Sequence, residues 1–171
     1  MPQSSDALEP PDGTSPDERI LLVDDEPKIL SALQRNLGNR FHLVPAAGAE
    51  EALRAIAGSG PYAVVVSDFK MPGMDGVEFL SRVKAVSPET IRIMLTGQAS
   101  LDDAVAAVNQ ANIFRLLSKP CPPIVLARAI DAALAQHRLA VAERDSRAVP
   151  RNRLPCRACG KGVGLGWHLA V

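Results

Sequence analysis

The sequence predicts an α/β fold, a doubly wound five-stranded parallel sheet with five helices. Three observations predict it. Short apolar runs alternate five times with segments whose apolar residues recur at helical spacing. The runs, of which Val64-Val65-Val66 is the clearest, are apolar without alternation, as strands covered on both faces are. The chain of 171 residues is 47% apolar and 22% charged, which suits one globular domain with appendages and not a wholly disordered chain.

Residues 1–18 carry four prolines among Ser, Asp and Glu, and read as a disordered leader. Ile20-Leu21-Leu22-Val23 is the first strand. Asp24-Asp25-Glu26-Pro27 opens the first helix, with Pro27 in the first turn and the acids at the positive end of the helix dipole. Ile29, Leu30, Leu33 and Leu37 keep helical spacing, and Gly38 stops the helix. Residues 41–46 follow as a strand and 48–57 as a short helix ended by Gly58. Residues 62–67 form the third strand, and after the loop 68–76 Val77, Phe79, Leu80 and Val83 mark the third helix. Residues 91–95 are the fourth strand. Leu101, Ala104, Val105 and Val108 mark a fourth helix that starts at Ser100. Residues 114–117 are the fifth strand, and an alanine-rich fifth helix runs from Ile124 to about Arg144. The crossovers should be right-handed.

No run of about 18 apolar residues is present, which excludes a membrane-spanning helix. The acidic N-terminus lacks the apolar core of a secretory signal, and Cys121, Cys156 and Cys159 are too few for a disulfide framework, so a cytoplasmic location is expected. The zero net charge hides an asymmetry. Residues 1–145 hold fourteen basic and nineteen acidic residues, and the five basic residues after Asp145 meet no acid. The division expected is a leader (1–18), one domain (19–140), and a helix extension with a basic, flexible tail (141–171). In the tail, Cys156-Arg-Ala-Cys159 with His168 is an incomplete zinc set. The glycines from Gly160 to Gly166 follow no strand, and only Trp167 could stack on a base, which argues against nucleotide and nucleic-acid partners.

In a parallel sheet of this kind the ligand site lies outside the carboxyl ends of the strands. Asp24 and Asp25, Asp68, Thr96 and Lys119 all fall there. Three carboxylates brought together repel one another and need a counter-charge, for which Mg²⁺ with oxygen ligands is the natural choice. An ammonium and a hydroxyl opposite them suit a phosphoryl group. A single Asp at a strand end is often only a helix cap, and Asp24 and Asp75 are both placed for that.

With these residues in view, the chain resembles the receiver domain of bacterial response regulators. The stretches that carry the resemblance are Ile20-Leu-Leu-Val-Asp-Asp-Glu-Pro27, Val64-Val-Val-Ser-Asp-Phe-Lys-Met-Pro-Gly-Met-Asp-Gly-Val-Glu-Phe79, Ile91-Arg-Ile-Met-Leu-Thr-Gly97 and Leu116-Leu-Ser-Lys-Pro120. The resemblance implies a flavodoxin-like strand order 2-1-3-4-5. It implies that Asp68 accepts a phosphoryl group from a sensor histidine kinase or phosphotransfer protein. Mg²⁺ would be held by Asp25, Asp68 and the backbone carbonyl of Lys70, and through water by Asp24. Thr96 and Lys119 would hold the phosphoryl oxygens, and Lys119–Pro120 would be cis. No enzyme activity is implied beyond self-phosphorylation from phosphohistidine and autodephosphorylation. A phosphatase of the haloacid-dehalogenase type also uses an aspartyl phosphate, but needs a second Asp where Lys70 stands.

Some positions depart from the family. The aromatic switch position is Leu116, so either a smaller residue takes that role or the aromatic coupling is absent; Phe114 shares its face by strand alternation. Lys70 and Gln98 flank the phosphoryl position, and neither is a carboxylate that could orient water. Met71 and Met74 read as packing. Two readings of output stay open: a stand-alone switch, or the receiver of a truncated regulator whose cyclic-di-nucleotide phosphodiesterase-type or DNA-binding domain is missing. Ala127, Ile130, Leu134, His137 and Val141 form a 3-4-3-4 seam on the fifth helix. Cover for the chain's own sheet accounts for Ile130 and Leu134 but not for Val141, so the expected homodimer surface combines the fourth helix, fifth strand and fifth helix.

Overall fold

The structure, a computed structural model, describes residues 18–97, 109 and 111–148. Its strands are β1 (Ile20–Val23), β2 (Leu43–Ala46), β3 (Val64–Asp68), β4 (Ile91–Thr96) and β5 (Arg115–Ser118), in the order β2-β1-β3-β4-β5. All four pairings are parallel, with Val64 opposite both Ile20 and Ile91. The helices are α1 (Pro27–Leu37), α2 (Ala49–Ser59), α3 (Gly76–Val86) and α4 (Pro123–Ala148). α4 is the fifth helix of the sequence reading. The expected fourth helix at 101–108, with Gln98 before it, lies outside the described residues, as do the leader to residue 17 and the tail from 149.

Residue alternation along the strands divides the core into two layers. Ile20, Leu22, Val64, Val66, Ile93 and Leu95 pack under α1 and α4. Leu21, Val23, Val65 and Met94 pack under α2 and α3. Strands buried on both faces cannot afford polar alternation, which is why β1, β3 and β4 read as continuous apolar runs. Phe79 of α3 and Ile130 of α4 are fully buried, each contributing roughly 1.5–3 kcal/mol of burial.

Most boundaries agree with the sequence, and the differences have causes. Phe41 does not begin β2, because its N–H closes the end of α1 on the Leu37 carbonyl at 3.0 Å. α2 passes through Gly58 and stops before Gly60–Pro61, a cis peptide, since proline cannot extend a helix. α4 begins one residue earlier and ends four residues later than the periodicity suggested. Ala127, Ile130 and Leu134 of the expected seam are buried in the chain's own core, so that seam serves the sheet as far as Leu134. No helix among the described residues is long and apolar enough to cross a membrane.

β4 carries an internal cation that periodicity did not single out. Arg92 is 4% exposed, and its guanidinium donates to the carbonyls of Thr90 (2.6 Å), Ala111 (2.9 Å), Asn112 (3.4 Å) and Pro88 (3.5 Å). Burial pulls its pKa below the ordinary value. The fork satisfies carbonyls on the approaches to β4 and β5, including that of Asn112, whose φ of 48° lies in the left-handed region. Replacing Arg92 by Met would strand these acceptors away from water, at a cost of about 2–4 kcal/mol. Urea denaturation of Arg92→Met should show a correspondingly lower midpoint; a midpoint equal to that of the parent protein would contradict this role.

Candidate functional site

The carboxyl edge of the sheet brings together residues that are distant in sequence. β1 delivers Asp24 and Asp25, β3 ends on Asp68, β4 ends on Thr96, and Lys119 follows β5. Backbone hydrogen bonds fix this edge: Phe69 N–H donates to the Leu95 carbonyl at 2.8 Å, and Lys119 N–H to the Thr96 carbonyl at 2.6 Å. The Lys119–Pro120 peptide is cis.

The loop after Asp68 is fixed by its glycines and by a cap. Gly73 has φ 80°, which a side-chain-bearing residue seldom adopts. Gly76 sits so close to the Asp68 carbonyl that a Cβ there would collide with the backbone carrying the carboxylate. Its N–H donates to the Phe69 carbonyl at 2.8 Å, closing the loop. Asp75 then caps α3, its Oδ1 accepting from the Glu78 N–H at 2.8 Å. The cap reading was therefore right for Asp75. Met71 is buried, and Met71 and Met74 pack in the layer under α2 and α3.

Asp24 does two things. Its Oδ1 accepts from the Glu26 N–H at 2.9 Å, stabilising the turn into α1, while its Oδ2 accepts from Lys119 Nζ at 2.8 Å. Lys119 Nζ also lies 2.7 Å from Asp68 Oδ1. One ammonium thus spans two carboxylates. Burial alone would pull Lys119 down, but its hydrogen bonds to Asp24 and Asp68 outweigh this and hold its pKa above the ordinary lysine value. Thr96 Oγ1 is buried and has no hydrogen-bond partner among the described residues. An orphaned buried hydroxyl costs about 1–3 kcal/mol and is rare.

These groups border an open cleft of about 490 Å³ lined by Asp25, Glu26, Asp68, Lys70, Thr96, Gly97 and Lys119. Asp25 and Lys70 are exposed, whereas Asp24 lies behind Lys119 at 3% exposure. Asp25 and Asp68 are the carboxylates that face the cleft besides Glu26 at its rim. No group of three or more His, Cys, Asp or Glu among the described residues is drawn together tightly enough to enclose a metal. Two hard carboxylates on an open cleft are nevertheless the donor set that suits Mg²⁺, which keeps several of its waters. Glu26 and Gly97 were not singled out by sequence reasoning, although both stand inside the motifs around Asp25 and Thr96.

Leu116 is half-buried in the layer under α2 and α3, opposite Met94 in register and on the same sheet face as Thr96. Phe114 falls just before β5, which starts one residue later than expected. It is 36% exposed, with the Arg115 guanidinium 5.7 Å from its ring centre.

A carboxylate with an ammonium against one oxygen, and across the same cleft a hydroxyl unpaired among the described residues, is the equipment that suits a phosphoryl group on an aspartate. Known proteins point the same way. The model of the response regulator receiver domain matches residues 20–131. The hydrogenase transcriptional regulatory protein HoxA of Cupriavidus necator is 38% identical over 141 residues, covering 78% of this chain and 29% of that protein. The transcriptional regulatory protein GlrR of Escherichia coli is 37% identical over 131 residues, covering 76% of this chain and 29% of the relative. Among solved structures, the signal receiver domain of an HD domain-containing protein from Pseudomonas fluorescens superposes with a TM-score of 0.68 at 37% identity, covering 71% of this chain and 97% of that one. A receiver domain protein from Clostridium thermocellum does so with a TM-score of 0.67 at 31% identity, covering 72% and 98%. The chain spans less than a third of the length of these two regulators. Fold, edge chemistry and relatives converge: this chain belongs to the response regulator receiver domains, the phosphorylation switches of two-component signalling.

Proposed function

We propose that Asp68 is the phosphoacceptor of this switch. A carboxylate oxygen of Asp68 attacks the phosphorus of a phosphohistidine on a sensor histidine kinase or phosphotransfer protein. The new bond is O–P; the N–P bond breaks, and the imidazole leaves with the electron pair and takes up a proton. The observation that carries this reading is the contact of Lys119 Nζ with Asp68 Oδ1 at 2.7 Å beside the orphaned Thr96 hydroxyl. Lys119 supplies positive charge where the transferred oxygens gather, and Thr96 Oγ1 gains the acceptor that it lacks. Asp25 and Asp68, with the Lys70 carbonyl and with Asp24 through water, would hold Mg²⁺, which supplies charge neutralisation to the phosphoryl oxygens. The cycle is one of self-phosphorylation and autodephosphorylation, with no turnover of a separate substrate, in the cytoplasm.

Signal would leave through the face built by β5 and the last helix. Thr96 and Leu116 share one sheet face, and Leu116 serves as a smaller switch residue. Four of the five large exposed apolar residues among those described, Phe114, Ile124, Val125 and Leu139, lie on β5's approach and on α4. A second copy covering this face on phosphorylation is the association we assign to it, in place of the inward seam. Relatives named as transcriptional regulators favour an output domain that acts on transcription in a longer protein, over a stand-alone module.

Incubation with a small acyl phosphate and Mg²⁺, followed by intact mass, should add one phosphoryl group to the parent protein and none to Asp68→Asn. Full labelling of Asp68→Asn at another residue would overturn the assignment. Lys70 is exposed and borders the cleft, so it can shield phosphorus from water. The aspartyl phosphate of Lys70→Asn should decay severalfold faster than that of the parent protein; equal decay rates would make Lys70 a solvated loop charge. Sedimentation should show a dimer at tens of micromolar only after phosphorylation, and Leu139→Glu should abolish it. A monomer under both conditions removes the dimer.

A further inference from the structure

The edge of the sheet opposite Asp68 has a construction of its own. α4 runs against the direction of the strands, so its C-terminal half passes their amino ends. Leu134 is the last of its residues in the core, and roughly 21 Å of helix continues beyond it to Ala148. A helical segment of that length is marginal in water on its own. Polar contacts hold it to the body. Arg138 forks onto Glu18, with Nε on Oε1 and Nη2 on Oε2, both at 2.6 Å. His137 Nδ1 lies 2.9 Å from the Glu89 carbonyl, and Arg144 Nη1 lies 3.3 Å from Glu89 Oε1. Glu18 precedes β1 and Glu89 precedes β4, so two separate segments of the amino edge hold one helix.

Among the described residues, the space between these contacts is not filled. A cleft of about 580 Å³ lies there, bordered by Tyr62, Val86, Thr90 and Val141 as well as the tethering residues. Val86 is 65% exposed within it. A helix fixed by apolar packing would bury Val86 and close this space. Here ionic contacts hold the extension across an open cleft. Arg138 is bidentate, the geometry in which an arginine–carboxylate pair is strongest. Its hydrogen bonds to Glu18 hold its pKa above the ordinary arginine value. Arg144 is the weaker tether, since its contact is longer and made through one nitrogen, while both arginine side chains are at least half exposed.

We propose that Glu18 and Glu89 clamp the extension of α4 to the amino edge of the sheet, and that this clamp fixes the direction in which the chain leaves the receiver. The clamp is ionic and spans an open cleft, so it can be released without disturbing either core layer. Its consequence for output rests on the receiver reading. Its existence does not, because the groups involved are at the far edge from Asp68.

Hydrogen exchange of the full chain, without phosphate donor or Mg²⁺, tests it independently of the phosphoacceptor assignment. In Glu18→Gln/Glu89→Gln the amides of residues 139–147 should exchange roughly tenfold faster, while those of the strands and of residues 126–134 stay as protected as before. Raising salt to ~0.5 M should speed the same amides in the parent protein. The charge-swapped pair Glu18→Arg/Arg138→Glu should restore protection that Glu18→Arg alone removes. Unchanged exchange at 139–147 in the double variant overturns the clamp, as does faster exchange spread evenly over α4 and the sheet. Failure of the swap to restore protection overturns the part assigned to Arg138.

Discussion

Lys119 stands between Asp24 and Asp68, and the carboxyl edge of the sheet takes its shape from that position. Asp24 is 4% exposed at its side chain and Asp68 is 12% exposed, so neither carboxylate is screened well by water. Without the ammonium, two poorly solvated negative charges would face each other across the ends of β1 and β3. With it, each carboxylate has one oxygen committed. Asp24 turns its other oxygen to the Glu26 N–H at the turn into α1. Asp68 keeps an oxygen for the cleft. The same residue type at two strand ends thus acquires different duties from the partners around it. The cation also fixes a direction, because Lys119 is attached through its own N–H to the Thr96 carbonyl.

Most of the fold was legible because β1, β3 and β4 are buried on both faces, and burial of that kind leaves few readings of an apolar run. The strand order was a different matter. Nothing in periodicity distinguishes 2-1-3-4-5 from other parallel orders, and the order entered through resemblance to a family. Where boundaries moved, tertiary contacts decided. Phe41 reads as the start of a strand, but its ring belongs to the layer under α1 and α4 while its backbone is still closing α1. The seam on the last helix is ambiguous for a related reason. A 3-4-3-4 apolar spacing marks a buried face and does not say whether the cover is another copy or the chain's own sheet. The outward face that remains is legible only after the inward one has been assigned.

The site shows what sequence can and cannot fix. Asp24, Asp25, Asp68, Thr96 and Lys119 were found because strand ends of a parallel sheet share one edge, a rule of topology rather than of composition. Their division of labour was not available there. That Asp24 turns toward Lys119 while Asp25 faces the cleft depends on which way each side chain leaves the end of β1. Gly76 illustrates a subtler loss. Its place in the Asp75-Gly76 pair suggested only a helix start, whereas its main constraint is the contact with the Asp68 carbonyl. Arg92 was passed over for the opposite reason. A charge in the middle of a buried strand looks like an exception to the pattern, and its partners are carbonyls that carry no signature in sequence.

β4 joins the two edges of the molecule, and its burial limits how they can communicate. All six of its residues are buried, it is paired on both sides, and it carries Arg92 near one end and Thr96 at the other. A strand packed to that degree is stiff; bending it would open voids in both core layers at once. Any change that begins at Asp68 must therefore travel by groups with room to move. Thr96 has a hydroxyl without a partner among the described residues, Lys119 has two carboxylates to choose between, and the end of α4 is held by ionic contacts across an open cleft. These three are also the places where a group of modest energy, about 1 kcal/mol for an exposed pair and a few for a buried polar contact, governs position. The core supplies the rigid frame, and the adjustable contacts sit at its two rims.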